Sequence, residues 1–185
     1  ILEVNNIGSS SSVIGMSNIT NVAATLTGAY ADVALAGSDD TVTINLSGGV
    51  GASTSVTSDN EVLVTSTASS NGAENLIVNV TGGKAYIGTL ESEENATDTQ
   101  VLKTLTVTGD SDLKIVAALD YAGTTATLDA SAATGGVTVI TDVNVTSMTV
   151  KGGSGNDSFD MIGGLNTTDV IDGGAGWCRR RCGCF

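Results

Sequence analysis

Gly152-Gly153-Ser154-Gly155-Asn156-Asp157-Ser158-Phe159-Asp160 is the stretch on which the reading of this chain turns. It follows the nine-residue pattern G-G-x-G-x-D-x-U-x, where U is a large apolar residue. Glycines at this density let the backbone take φ > 0 and turn its carbonyl oxygens inward. Asp157 adds a hard anionic oxygen, the donor type that Ca²⁺ prefers. Ser158–Asp160 then predicts a short strand with Phe159 directed into a core. The unit is an ion-loaded turn followed by a strand, as in a parallel β-roll.

Two partial copies follow. Gly163-Gly164-Leu165-Asn166-Thr167-Thr168-Asp169 keeps the glycine pair and the aspartate, with one more residue between them. Gly173-Gly174-Ala175-Gly176 opens a third copy, and its aspartate falls at position 178, where the chain has Cys178. An ion held between successive turns draws ligands from both. The expected Ca²⁺ ligands are the side chains of Asp157 and Asp169 and the carbonyls of Gly153, Gly155, Gly174 and Gly176. Asp172 and Asn156 are secondary candidates. The bland alternative is a set of glycine-rich turns with solvated aspartates.

Upstream, polar and apolar residues alternate in short runs that end at glycines. Thr41–Ser47 stops at Gly48-Gly49, Asn75–Thr81 at Gly82-Gly83 and Leu102–Thr108 at Gly109-Asp110. Glu61–Thr65, Ala85–Leu90, Leu113–Val116, Thr125–Asp129, Val137–Thr141, Val143–Thr146 and Met148–Lys151 are further predicted strands. Residues 91–98 form a predicted acidic loop. Before residue 40 the signal is weak: Ile19–Val22 and Ala24–Thr27 are candidate strands, and the Ala-rich Asn21–Ala36 has room for a helical turn. Val107, Leu128 and Val150 recur near a period of 20, which suits a β-solenoid with insertions in loops. The fold class expected is all-β: a parallel β-solenoid or β-roll over residues 101–176, and a solenoid or a β-sandwich over residues 1–100.

Composition narrows the function. Val and Thr favour strands, and the chain has no Pro and 3% aromatic residues. Residues 1–176 carry four cations against twenty acids, a balance of −16. Such a body repels nucleic acid and draws divalent cations. There is no apolar run of membrane-spanning length. With no His, no Ser-His or Cys-His nucleophile pair exists. Asp39-Asp40 and Glu93-Glu94 fall in polar loops, and no enzymatic activity is expected. The tail Trp177–Phe185 holds all three cysteines and three consecutive arginines. It differs abruptly from the body, reads as non-native, and is assigned no function. The start Ile1-Leu2-Glu3-Val4 suggests a piece of a longer protein.

Gly152–Asp160 together with Ile171–Gly176 resembles the RTX repeats of bacterial surface-layer (S-layer) proteins, and the Thr/Ala/Val/Gly-rich strands upstream are similar in character. The resemblance implies a secreted structural protein on a bacterial cell surface, exported by a type I system. It implies Ca²⁺-dependent folding, and assembly with copies of itself into a two-dimensional lattice. Cell-surface polysaccharide is a further candidate partner. The alternatives it leaves are a segment of an RTX adhesin and the C-terminal export domain of a secreted hydrolase.

Overall fold

The computed structural model describes residues 2–6, 11–19, 24–27, 39–50, 61–65, 72–94, 99–141, 145–162, 165–176 and 178–182. These residues hold seventeen strands and no helix. The protein is all-β, and its strands pair mainly in parallel. No helix is long and apolar enough to cross a membrane among the described residues.

The pairing runs outward from β4 (Thr41–Val50). Thr41–Ser47 of β4 pairs with β6 (Asn75–Thr81), and Val50 at its far end pairs with Ala85 of β7 (Ala85–Ile87). Two arms grow from this division. The first continues from β6 to β10 (Thr104–Gly109), β12 (Thr125–Ala133), β14 (Ser147–Lys151) and β16 (Val170–Asp172). The second continues from β7 to β11 (Leu113–Leu119), β13 (Val137–Thr141), β15 (Asp157–Met161) and β17 (Cys178–Cys182). Successive strands thus alternate between the arms, and each pairs with its counterpart one repeat away.

Burial explains why these sequences form these strands. In β6 the pattern is strictly alternate, with Leu76, Val78 and Val80 wholly buried and Asn75, Ile77, Asn79 and Thr81 half-buried. A side-chain period of two puts one face of each strand in the core and the other toward water. One apolar cluster joins both arms: Ile44, Leu76, Leu105, Leu128 and Val150 from the first, Ile87, Ile115, Val139 and Phe159 from the second. Buried polar groups at strand starts are bonded: the Asp40 N–H donates to Glu74 Oε2 at 2.8 Å, and Ser92 Oγ both donates to and accepts from the Ala73 backbone.

The register corrects the spacing read from sequence. Leu105, not Val107, lies opposite Leu128: the pairing already runs at this offset from Thr104–Thr127, and a bulge between Thr106 and Thr108 widens it by one residue. The aligned column is Val42, Leu76, Leu105, Leu128, Val150, Ile171. Its steps shorten along the chain from 34 residues to 21. A second sheet accounts for the contraction. β3 (Ala24–Thr27), β5 (Glu61–Thr65) and β8 (Thr89–Glu94) pair in parallel, and β9 (Thr99–Gln100) pairs antiparallel with β8. The early repeats carry this additional strand, and the later ones show none among the described residues.

Other expectations shift as well. β1 (Leu2–Asn6) and β2 (Ser11–Ile19) form an antiparallel pair, and β2 joins β4 in parallel. Neither was expected as drawn, since β2 opens in a serine run. The acidic loop is strand through Glu94, where pairing with β5 up to Glu93 and with β9 at Glu94 overrides composition. Val145 and Thr146 are not strand, while residues 142–144 lie outside the described residues. Of the Ala-rich segment, Ala24–Thr27 is strand, and residues 21–23 and 28–36 lie outside the described residues.

Two substitutions test this core. Leu105→Ala should cost about 2–5 kcal/mol in chemical denaturation, as for other buried leucines. Tyr121 is buried and its hydroxyl has no hydrogen-bond partner; burial pushes its pKa well above the ordinary value. Tyr121→Phe should therefore be neutral or stabilising by up to about 1 kcal/mol in the same assay.

Candidate functional site

The strands of the two arms are joined by turns at 82–84, 110–112, 134–136, 152–156 and 173–176. The turns stack on one another as the strands do. Ser111 N–H donates to the Val80 carbonyl at 3.2 Å and Thr134 N–H to Gly109 at 2.8 Å. Ser154 N–H donates to Ala133 at 3.0 Å and Ala175 N–H to Gly153 at 2.9 Å. Each turn is thus held to the repeat before it by backbone hydrogen bonds.

This stacking gives the motif glycines a different reason from the one expected. Gly152, Gly153 and Gly155 do not adopt positive φ; among the described residues of this segment only Gly174 does, at 69°. What Gly155 supplies is the missing Cβ, which would overlap the Gly135 backbone of the turn beneath. A Cβ on Gly176 would likewise overlap the Gly155 carbonyl. Backbone approaches backbone too closely for any side chain.

Asp157 sits at the base of β15, one residue before the Thr138–Ser158 pair. Its side chain is 2% exposed. Oδ1 accepts the Val137 N–H at 2.9 Å, and Oδ2 accepts the Gly153 N–H at 2.9 Å. One carboxylate therefore ties its own turn to the neighbouring strand. Burial pushes the Asp157 carboxyl above the ordinary value, and the two N–H donors offset only part of that.

The other expected ligands are placed as follows. Asp169 accepts the Met148 N–H at 2.8 Å through Oδ1 and the Asn166 N–H at 2.9 Å through Oδ2. It thus caps the start of β14, whereas Gly153 and the turn of Asp157 follow the end of that strand. The structure does not bring Asp157 and Asp169 together. Asp172 is exposed and accepts the Gly174 N–H at 3.0 Å. Asn156 is exposed, with its backbone against Gly136. Gly153 stacks with Gly174, and Gly155 with Gly176. Position 178 pairs in register with Asp157, where the nine-residue count put it.

The donors are the hard oxygens that Ca²⁺ takes. Both Asp157 oxygens and the Gly153 carbonyl face N–H groups. Among the described residues no three His, Cys, Asp or Glu side chains converge as a metal site. The turn aspartate acts here as a clasp between backbones.

No protein-family model, curated protein or solved structure matches this chain.

Sequence reasoning missed further clasps. Asp112 Oδ1 accepts the Gly136 N–H at 2.9 Å, and Oδ2 meets Lys84 Nζ at 2.6 Å. Asp129 Oδ2 meets Lys151 Nζ at 3.0 Å across the first arm. Asp110 Oδ1 accepts the Gly82 N–H at 3.3 Å. The only sequence signal was an aspartate beside a glycine turn; each partner lies more than 20 residues away. The Lys84 ammonium, then the Gly136 N–H, hold the Asp112 carboxyl below the ordinary value against a desolvation cost. For Asp129 burial opposes ionisation, but Ser131 and Lys151 outweigh it and the pKa is lowered.

The signs follow by linkage. Asp112 and Asp129 have depressed folded pKa values. Their stabilisation is present above the unfolded value near 3.8 and is lost as pH falls through the folded values. Asp157 has a raised folded pKa, so its ionisation opposes folding above that pKa, and acidification relieves the penalty. Asp112→Asn should lower the melting temperature at neutral pH and converge with the parent at pH well below the carboxylate range. Asp157→Ala leaves two N–H groups without their acceptor and should cost about 2–5 kcal/mol by denaturant melts in EDTA.

Proposed function

We propose that the chain is a structural segment of a bacterial cell-surface protein, built as a parallel β-solenoid with one repeat per turn of the winding. The observation that carries this reading is the double ladder, in which strands of both arms and the turns between them repeat in register. A winding whose repeats contact only their neighbours can be extended repeat by repeat, as a structural element requires. The acidic, His-free body supports the same reading, as does the absence of cysteine before residue 177. The surface-layer assignment rests on the likeness of Gly152–Gly176 to RTX repeats. On this reading the chain assembles with its own copies outside the cell. The Asp157 carboxylate and the Gly153 carbonyl bond N–H groups within the stack.

Two experiments test it. Deleting residues 125–146 removes one whole repeat, since Thr125 and Ser147 are register partners. A solenoid predicts that this deletion still unfolds cooperatively, whereas deleting residues 125–135 abolishes folding. Equal damage from both would count against the winding. Electron microscopy of the protein on a supported lipid layer should show ordered sheets; dispersed particles at every concentration would remove the lattice role.

A further inference from the structure

We propose that β1 is an inhibitory cap: it closes the β2 edge of the stack against head-to-tail docking by the β16 edge of a second copy. The two ends of a parallel stack are complementary by construction, because each layer pairs with the next in the same direction. In the large sheet every described pairing is parallel except that of β1 with β2. The edge of β2 that β1 occupies is therefore the counterpart of the edge at β16, at the other end of the same arm.

The register shows what the cap covers. Ser12, Ile14 and Met16 of β2 stand opposite Val42, Ile44 and Leu46 of β4, all three buried. β1 sets Asn6, Val4 and Leu2 opposite the same three β2 positions. Two apolar positions of β1 thus terminate two core columns. Without β1, the nine residues of β2 would present a row of unpaired N–H and C=O groups, the template on which another strand adds. With β1 in place, the layer at this end runs antiparallel and no longer repeats the stack.

The other end carries no such layer among the described residues. β16 pairs with β14 on one side and with no described strand on the other. The Asp172 carbonyl accepts the Gly152 N–H at 2.7 Å, so Asp172 faces β14 and the alternate residue Ile171 turns its N–H and carbonyl to the open side. Ile171 packs partly buried against the core cluster, and Val170 beside it is 59% exposed. The column that begins at Ser12 and passes through Val42 ends at Ile171. A foreign strand could match the hydrogen bonds of this edge. Only the β2 edge of another copy also continues the column in the same direction. Such a contact is heterologous and does not close, so it builds filaments.

The inference rests on the parallel winding proposed above, and not on the formation of surface sheets. The test compares the whole chain with a chain lacking residues 1–10 and with a Leu2→Asp, Val4→Asp double variant. Copies of net charge −13 repel one another, so sedimentation is run at moderate salt, which screens that repulsion. Both altered chains should rise with concentration to many times the mass of one copy and form unbranched filaments in electron micrographs, while the parent forms none. Ile171→Pro, which removes the open-edge donor of β16, should return the shortened chain to the parent's mass. Melting curves check folding, and the double variant keeps the chain at full length if the shortened one unfolds. Both altered chains staying at the parent's mass, amorphous aggregates in place of filaments, or filaments that persist with Ile171→Pro would overturn the cap. A cooperative fold after deletion of residues 125–146 would leave the winding standing even then, so the two readings fail separately.

Discussion

Direct backbone contact between successive turns is the constraint on which the rest of this structure depends. Parallel strands can sit at sheet spacing only if the segments joining them also stack at that spacing. The turns at 110–112, 134–136, 152–156 and 173–176 do so, with an N–H to carbonyl bond at each step. Gly155 and Gly176 leave no atom between one layer and the next. Once the turns are in register, the strands on either side must be, and the apolar column from Val42 to Ile171 follows.

The aspartates acquire their role from the same constraint. A stacked turn leaves N–H groups at strand starts that the ladder does not reach, and a buried donor without an acceptor is costly. Asp157, Asp169, Asp112 and Asp110 each supply that acceptor across a repeat boundary. A chain with many acidic residues can therefore be cohesive, since part of its charge is spent on its own backbone. The contraction of the repeat has a related logic. The early repeats carry the strands β3, β5 and β8, whereas the tightest glycine turns come late.

Much of this was legible in the sequence. Alternation in Asn75–Thr81 and Thr104–Thr108 announced strands because one face is buried and the other is wet. The glycine pairs announced turns. Their reason was not legible: nothing in Gly152-Gly153-Ser154-Gly155 distinguishes a left-handed turn from one with no room for a Cβ. Register was misread at Val107 because Leu105 and Val107 are both buried positions of one alternating run, and alternation does not say which of them faces Leu128. β2 was missed because its opening serines carry no alternation. The aspartate clasps require knowing which residues lie one repeat apart, which spacing alone gave only approximately.

Amide hydrogen exchange tests turn stacking most directly. The informative amides are Ser111, Thr134, Ser154 and Ala175, each bonded to a carbonyl of the repeat before it. In EDTA all four should be protected to a degree comparable with the ladder amides of β10 and β12. Exchange at the rate of free loop amides, or protection that appears only when Ca²⁺ is added, would contradict a stack held by its own backbone.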